Sequence, residues 1–375
     1  MANGIYLGAS NVARKVKKVY VGVNGVAKKV KKIYIGVGDV AKLGWSGDPQ
    51  VSYYGKATSL STARYNLAAA KLKDYALFGG GSGASNVVDA YNKSLTRSNP
   101  TGLTVGRREL AAATTGNFTY VLFAGGSNSA SNSVNAVNAY NSSLTRSAPA
   151  LLASARYDLA GASIGDYALF AGGYKTNSNN NSNILDNYNK SLTHGYMSVS
   201  CARNELAATS VGNYALFAGG YDDDSYHSDK VTAISSALVE SIPTELSVSV
   251  DGLAGTSVGD YALFGGGDKG YGIYSKAVDA YNTSLTRTTI DSLSEKRCWL
   301  SAASTLGFAL FGGGYANNYF AVVDVYDTSL TKTNITPLSV ARWGLSAVSL
   351  DKYILFGGGS GSNGASDDVD VYEVA

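Results

Sequence analysis

The sequence predicts an all-β protein made of seven copies of one structural unit, preceded by a short basic segment with a repeat of its own. A Tyr-Ala-Leu-Phe-like motif followed by a pair of glycines recurs through most of the chain, at intervals of 45, 47, 47, 47, 47 and 45 residues between its Phe residues. These residues are Phe78, Phe123, Phe170, Phe217, Phe264, Phe311 and Phe356. A period of this regularity is typical of repeat architectures. The 44 glycines and 27 tyrosines favour turns and strands over helices.

The basic segment, residues 1–47, predicts a small β-hairpin repeat domain. An aliphatic residue, Tyr, a second aliphatic residue and Gly recur every 14 residues, at 5–8, 19–22 and 33–36. In the second copy, Asn24-Gly25 stands between β-branched residues, which is a strong hairpin signal because both turn positions need a positive φ. We therefore expect a meander of short hairpins.

Charge separates this segment from the rest of the chain. Residues 1–47 hold nine Lys and Arg residues against one acidic residue, a formal charge of +8, whereas the remainder carries −5. Lys17, Lys18, Lys31 and Lys32 are predicted anchoring residues that dock on a protein assembly; a solvated strand edge is the alternative. Nucleic-acid binding is not expected, because the aromatic residues follow the strand period and form no stacking platform.

The repeat unit predicts four antiparallel strands. Each copy reads Arg-x-x-Leu-Ala, a turn, Tyr-Ala-Leu-Phe-Gly-Gly, a variable stretch, Val-Asp-Ala-Tyr and Asn-x-Ser-Leu-Thr; the predicted strands of the third copy are 156–164, 166–170, 185–188 and 192–194. Such sheets bury their faces by stacking around an axis, so residues 48–375 predict a seven-bladed β-propeller of four-stranded blades. The chain ends just after a third strand, and we expect residues 51–55 to close the ring by pairing with the C-terminal blade.

Three recurring features inside the unit have structural and functional interpretations. The glycine pair predicts close backbone approach rather than phosphate binding, because no helix follows it. An Arg at the start of six of the units could form an anion-binding ring, but bracing of strand ends is favoured because guanidinium offers several planar donors; Val250 replaces it in the remaining unit. The Asp residues of the third strand are expected to be hydrogen-bond partners within the strands.

Variation is concentrated in the connection after the glycine pair, which predicts one recognition face. Tyr, Asn and Asp in these connections suit a saccharide, because aromatic rings stack on sugar faces and amides or carboxylates bond to hydroxyls. Mobile polar loops without a ligand are the alternative. The predicted binding residues are Tyr174, Asn177, Asn179, Tyr221, Asp222, Asp224, Tyr226, His227, Tyr271, Tyr274, Tyr315, Asn317 and Tyr319.

Catalytic and membrane-spanning patterns are not found in the sequence. The two histidines, His194 and His227, lie in different units and belong to no metal-ligand motif. We therefore predict a protein that is not an enzyme, with no catalytic residues, metal or cofactor. No apolar run has the length of a membrane span and the N-terminus lacks a signal-peptide pattern, so synthesis in a host cytoplasm without membrane insertion is expected.

Two parts of the chain resemble known families. Residues 51–375 resemble the Kelch family in the leading Arg, the Gly-Gly after the second strand and the aromatic end of the third strand, although Leu-Thr stands where Kelch repeats usually carry Trp. Residues 1–47, with Val-Ala-Arg-Lys-Val-Lys-Lys at 12–18, resemble N-terminal repeats of tail and structural proteins from phages and prophages of Gram-positive hosts.

The resemblance implies a virion protein on the exterior of a phage tail or capsid. Residues 1–47 would attach to other virion proteins, and the propeller would serve receptor binding and host attachment by carbohydrate binding to a host-surface glycan, or by binding a surface protein. A homotrimer is a family-level expectation. The alternatives are a purely structural decoration or spacer that binds other virion proteins, and an enzyme that acts on polysaccharide.

Overall fold

The computed structural model describes residues 49–223 and 226–375, together with the backbone of six strands before residue 47. The chain divides into two compact units. One consists of residues 1–52 with the last two residues, and the other of residues 53–373. Of the anchoring residues predicted from the sequence, Lys17, Lys18 and Lys31 lie outside the described residues, and Lys32 is described only as the first residue of a strand.

The smaller unit contains three antiparallel strand pairs in its described part. The strands are Tyr6–Ala9 with Val12–Lys15, Val19–Val23 with Val26–Val30, and Lys32–Val37 with Val40–Ser46. The third pair has a register shift after Ile33. The predicted turn at Asn24-Gly25 lies outside the described residues, between the two strands of the second pair.

The larger unit contains, within its described residues, seven four-stranded antiparallel sheets. The first strands are Ala68–Leu72, Ala111–Thr114, Ala160–Ile164, Ala207–Val211, Ala254–Val258, Ser301–Thr305 and Ser346–Leu350. The second strands are Tyr75–Gly79, Tyr120–Ala124, Tyr167–Ala171, Tyr214–Ala218, Tyr261–Gly265, Phe308–Gly312 and Tyr353–Gly357. The third strands are Val88–Asn92, Val137–Asn141, Ile184–Tyr188, Val231–Ser235, Val278–Asn282, Val323–Asp327 and Val369–Val374.

Five of the seven fourth strands are only two or three residues long. The fourth strands are Arg97–Ser98, Arg146–Ser147, His194–Ser198, Glu240–Ser241, Arg287–Thr289, Lys332–Asn334 and, in the seventh sheet, Val51–Lys56 from the other end of the chain. Two-residue strands between the second and third strands are Tyr174–Lys175, Asn180–Asn181, Tyr221–Asp222, Tyr226–His227, Ser360–Gly361 and Gly364–Ala365; Arg203–Asn204 pairs with one of them. A single 3₁₀ turn is described at Gly116–Phe118.

The Asn-x-Ser-Leu-Thr motif forms the turn between the third and fourth strands. The Asn92 side-chain oxygen accepts hydrogen bonds from the Ser94 and Thr96 amides, each at 3.0 Å. Leu95 has a φ of 59°, a conformation that the Asn bonds stabilise. The same amide or carboxylate cap recurs at Asn141, Asn189, Asn282 and Asp327. The predicted turn therefore has a side-chain cap as its physical basis.

The core lies between neighbouring sheets and is built from the repeating aromatic residues. Phe78 is fully buried and packs edge-on against Tyr91 of the third strand, with ring centroids 5.9 Å apart. The Tyr91 hydroxyl donates to the Thr58 carbonyl at 2.7 Å. Gly80, the first residue of a glycine pair, has a φ of 72°, and a Cβ there would lie 2.6 Å from the Arg107 carbonyl of the next unit. The glycine pair thus permits close backbone approach between sheets.

The recurring arginines and aspartates form buried pairs in four of the seven described sheets. Arg297 and Asp324 are both 0% exposed, and Arg297 Nη2 lies 2.8 Å from Asp324 Oδ2. Arg297 also donates to the Phe311 carbonyl at 3.3 Å. Equivalent ion pairs are Arg64–Asp89, Arg156–Asp186 and Arg342–Asp370. These guanidinium groups brace strands and are not available to an anion, so the bracing interpretation is the correct one for them.

The arginine brace has three variations that leave the sheet intact. Arg107 bonds to Asn138 Oδ1 at 3.1 Å and Arg203 bonds to Thr232 Oγ1 at 2.9 Å, so a neutral partner suffices. In the unit with Val250, Asp279 instead pairs with Arg287 of its fourth strand, with Nη1 and Oδ1 3.0 Å apart. The charge on this buried aspartate is therefore compensated from the opposite side of the strand.

The seventh sheet combines the two ends of the larger unit. The strand Val51–Lys56 lies beside Val369–Val374 as its outermost strand. Tyr53 donates to Asp370 Oδ1 at 2.8 Å, and its ring packs against Tyr372 with centroids 5.3 Å apart. Asp370 also pairs with Arg342, so the incoming strand bonds to the brace of that sheet.

Candidate functional site

A ring of seven backbone hydrogen bonds connects the seven sheets. The residue two positions after the Arg of each unit, or after Val250, donates its N–H to the carbonyl of the equivalent residue in the preceding unit, with N···O distances of 2.7–3.1 Å. The Asn66 amide closes the circle by donating to the Gly344 carbonyl at 2.8 Å. These seven residues, here called the ring, are Asn66, Glu109, Asp158, Glu205, Gly252, Trp299 and Gly344.

The ring residues all have a left-handed backbone conformation, with φ between 48° and 61°. Glycine adopts this conformation without a steric penalty and occupies two of the seven positions. At a non-glycine residue it costs on the order of 1 kcal/mol or more. Five positions nevertheless carry Asn, Glu, Asp, Glu and Trp, so the backbone bears strain to present these side chains. Strain of this kind is often found at binding sites.

The ring surrounds the entrance to a cavity of about 390 Å³, here called the ring cavity. Its floor is formed by the leucine that follows each ring residue: Leu67, Leu110, Leu159, Leu206, Leu253, Leu300 and Leu345. A second cavity of about 230 Å³ is lined by these leucines and the small residues of the first strands, such as Ala69 and Gly161. The ring cavity thus has a polar and aromatic entrance above an apolar floor.

One arc of the ring is acidic. Glu109, Asp158 and Glu205 occupy three consecutive positions. Glu109 Oε2 accepts from the Ser127 hydroxyl at 2.8 Å, and its Oε1 lies 3.3 Å from Arg108 Nε. Glu205 Oε2 accepts from the Trp299 indole N–H at 3.1 Å. No donor to the Asp158 carboxyl group is found among the described residues. None of the described cavity-lining residues is basic.

The opposite side of the ring is aromatic, and Trp299 of the ring together with the nearby Trp343 and Tyr65 is here called the aromatic arc. The Trp299 and Trp343 rings lie 5.2 Å apart, and Tyr65 follows Trp343 at 5.4 Å. Trp299 reaches Glu205 across Gly252, where a Cβ would lie 2.9 Å from the indole. Gly252 therefore leaves the space in which the indole lies. Because the indole N–H is bonded to Glu205, the aromatic arc joins the acidic arc at this point.

Burial and mutual repulsion raise the pKa of two carboxyl groups in the acidic arc. Burial raises the pKa of Asp158 well above its ordinary value, and Glu205 and Glu109 raise it further, while Arg108 lowers it. Burial also raises the pKa of Glu205, with Glu109 and Asp268 adding to the effect and the bond from Trp299 opposing it. A bound cation would favour the ionised forms of Asp158 and Glu205.

The predicted binding residues with aromatic side chains partly extend the aromatic arc. Tyr315 lies 6.2 Å from Trp299, and Tyr274 and Tyr319 lie 6.3 Å and 5.7 Å from Tyr315. The backbone of Cys298, next to Trp299, bridges to that of Tyr315. In this sector the structure brings the predicted loop residues and the ring together on one face.

A second predicted group lies next to the acidic arc. Tyr221 packs against Tyr226 and His227, with ring centroids 5.7 Å and 5.9 Å apart. His227 Nδ1 lies 3.0 Å from Asp251 Oδ2. Burial, with help from Glu205 and Asp268, raises the pKa of Asp251 to about 8. Asp222 pairs with the backbone of Arg203 in a short strand, and Asp224 lies outside the described residues.

The other predicted residues are spread along the loops. Tyr174 packs against Tyr157 at 5.6 Å and donates to Asn179. Asn177 and Asn317 are exposed, and the Tyr271 side chain is fully exposed. These residues are on the loop face, but the structure does not place them in the ring cavity.

The residues missed from the sequence are the ring residues themselves. They occupy the second variable position of the Arg-x-x-Leu motif, where Asn, Glu, Asp, Gly and Trp alternate in an otherwise constant segment. This variation was the available signal. The loops after the glycine pair vary in length as well as in composition and are therefore the stronger sequence signal, whereas the ring position varies in composition alone.

Comparisons with known proteins concern only the fold. No family model and no curated protein sequence match the chain. The solved structure of YjhT is similar, with a TM-score of 0.55 and 13% sequence identity over 84% of this chain and 96% of that one. Together with the four-stranded antiparallel sheets, this likeness supports a β-propeller-like, all-β fold.

Neither a membrane-spanning helix nor a metal-binding cluster is found among the described residues. No described helix is long and apolar enough to cross a membrane. No group of three or more His, Cys, Asp or Glu residues in the described chain is arranged to hold a metal ion.

Proposed function

We propose that the protein recognises a host-surface saccharide without chemically altering it, and that it does so on the exterior of a phage or prophage virion. The ring cavity and the loops around it form the recognition face. The observation that carries this proposal is the ring, in which five non-glycine residues keep a strained backbone conformation while their side chains surround one cavity.

The chemistry of the ring cavity supports a saccharide. Trp299 and Trp343 offer aromatic surface for the apolar face of a sugar ring. Glu109, Asp158 and Asn66 offer acceptors and a donor for hydroxyl groups. The cavity volume of about 390 Å³ lies within the range of roughly 300–1,000 Å³ that small-molecule sites occupy.

The proposal includes a closed seven-bladed propeller of the Kelch type. The closed circle of ring hydrogen bonds and the seven four-stranded sheets support this blade number. Attachment to other virion proteins through residues 1–47 rests on their excess of positive charge and on the resemblance to phage N-terminal repeats. A homotrimer belongs to the same proposal.

A glycan array probed with the full chain tests saccharide recognition, and Trp343→Ala is the matched variant. Trp343 contributes ring surface to the cavity without a hydrogen bond from its indole N–H among the described residues, so its removal should weaken binding by about tenfold or more while the fold persists. Trp45→Phe, in the smaller unit, is the control. Absence of binding to any saccharide, or equal binding by Trp343→Ala, would contradict the proposal.

An enzyme that acts on polysaccharide is the second candidate, because burial raises the pKa of Asp158 and Glu205 follows it in the ring. A protonated carboxyl next to a second carboxylate is the arrangement that glycoside hydrolysis uses. Release of reducing ends from host cell-wall polysaccharide by the wild type, abolished in Asp158→Asn, would establish this function. Binding without release favours recognition alone.

A further inference from the structure

The ring cavity has an electrostatic bias toward cations. Three carboxyl groups occupy one arc, and no described residue that lines the cavity carries a positive charge. Arg108 lies beside Glu109 but is not part of the lining. Asp158, between the two glutamates, is partly accessible from the cavity and receives no hydrogen bond from the described chain. A ligand that brings a donor or a positive charge would supply the missing partner.

The remaining lining favours an organic cation over a hard metal ion. Calcium and magnesium take six or more oxygen ligands around the ion. Here the carboxyl groups lie on one arc, while the floor is leucine and the opposite arc is tryptophan. An ammonium group that carries carbon substituents can contact the carboxylates, the indole faces and the leucines together, since aromatic faces attract cations of this type.

The hydrogen bond from Trp299 to Glu205 also favours an organic cation over a metal ion. It places an indole directly beside a carboxylate, at 3.1 Å between Nε1 and Oε2. Trp343 lies 5.2 Å from that indole. A positive group at the junction of the two arcs therefore meets a carboxylate and aromatic surface at once. A neutral N-acetyl group there could donate one amide N–H but would bring no positive charge to the acidic arc.

We infer that the ring cavity binds an ammonium group, either the free protonated amine of an amino sugar or a quaternary ammonium substituent, carried on the recognised saccharide. This inference rests on the proposed saccharide recognition and specifies its chemical class.

Proton linkage gives an independent signature of such binding. The charged groups that face Asp158 are Glu205, Glu109 and Asp251, which raise its pKa after burial does, and Arg108, which lowers it. An ammonium ion favours the ionised form of these carboxyl groups. Binding should therefore release protons, and affinity should rise with pH until the amine of the ligand itself loses its charge.

The test compares oligosaccharides that differ only in this group. The full chain is titrated calorimetrically with a tetramer of β-1,4-linked glucosamine, with its fully N-acetylated counterpart and with choline chloride. The comparison distinguishes the free amine of an amino sugar from a quaternary ammonium group. We expect a preference of about tenfold or more for the glucosamine tetramer over the N-acetylated one, with proton release measured in buffers of different ionisation enthalpy. Binding of choline with no preference between the tetramers would support the inference and assign the quaternary source.

Variants of the acidic arc distinguish the effect of its carboxyl groups from the effect of the cavity shape. Asp158→Asn combined with Glu205→Gln keeps the side-chain sizes and replaces two carboxyl groups by neutral amides, and should reduce the preference for the ammonium ligand by about tenfold. Asp260→Asn, an exposed residue in a turn between the first two strands of its sheet, is the control and should change nothing. Equal or tighter binding of the N-acetylated tetramer, without choline binding, would overturn the inference and leave saccharide recognition standing. No binding to any of the three probes would overturn it as well, and the glycan array then decides saccharide recognition separately.

Discussion

Replacing Arg297 by Met removes one buried brace and leaves the shape of the side chain largely unchanged. Arg297 is 0% exposed and bonds to the Asp324 carboxylate, the Phe311 carbonyl and the Glu295 carbonyl at 2.8, 3.3 and 3.1 Å. After the substitution, Asp324 keeps the Ser294 amide at 3.0 Å and a Lys332 ammonium at 3.7 Å. One long ion pair cannot replace the lost guanidinium.

The expected loss of stability is large. Removing one partner of a buried ion pair costs about 3–5 kcal/mol, mostly because the other charge stays buried. Asp324→Asn should cost less, about 1–3 kcal/mol, because Arg107 already bonds to a neutral Asn138 in an otherwise equivalent sheet. The double variant Arg297→Met, Asp324→Asn should be more stable than the sum of the two single losses predicts, since it buries no unpaired carboxylate.

Thermal unfolding followed by circular dichroism measures these differences. Arg297→Met should lower the Tm by about 5–10 °C, Asp324→Asn by less, and the double variant should lie above additivity. Lys73→Met, which removes an exposed positive charge without an ion pair in the described chain, is the control. Additive losses, or a loss under about 1 kcal/mol for Arg297→Met, would refute the view that the arginine brace stabilises its sheet.

Two further predictions concern the closing strand and a buried carboxyl group. Deleting residues 48–56 should lower the Tm by about 10 °C or more, because the seventh sheet loses its outermost strand and the Tyr53 contacts; an unchanged melting curve would contradict the role assigned to that strand. Asp251 has a pKa raised to about 8 in the folded state, so the folded protein holds an extra proton between about pH 4 and pH 8. The stability that this proton supplies is therefore lost as pH rises through that range. Relative to the Tm of Asp251→Asn, the wild-type Tm should fall from pH 5 to pH 8. A Tm difference between the two proteins that stays constant over this range would contradict the raised pKa of Asp251.

The repeat period, the sheet composition and the positions of the second and third strands were predictable because each rests on local chemistry. Alternation of apolar residues, Asn-capped turns and glycine pairs all act within a few residues of one another. The first strand was predicted to begin at residue 156, whereas it begins at Ala160. The preceding residues instead form the brace and the ring, because Asp158 has a φ of 52° and bonds to the neighbouring units.

The ring and the brace partners could not be derived from the sequence, because both depend on contacts between distant parts of the chain. Glu and Trp give no local signal for a left-handed conformation, and only the hydrogen bonds between sheets impose it on Glu205 and Trp299. The recurring Arg and the recurring Asp can each be recognised in the sequence, but their pairing depends on strand register. The replacement partner Arg287 belongs to a position where Arg97 mainly bonds to a carbonyl.

The strand Val51–Lys56 imposes an order on folding during synthesis. Tyr53 and Asp370, which bond in the seventh sheet, are 317 residues apart, whereas the Arg64–Asp89 pair of the first sheet spans 25. By loop-closure entropy the longer contact costs about 2 kcal/mol more to form. Six sheets can therefore form while the chain is being synthesised. The strand Val51–Lys56 is synthesised early, but its partner strand is synthesised only at the end of the larger unit. Until the partner strand is synthesised, Val51–Lys56 has no neighbour in its sheet, and the nascent protein has an open strand that is vulnerable to pairing with another copy.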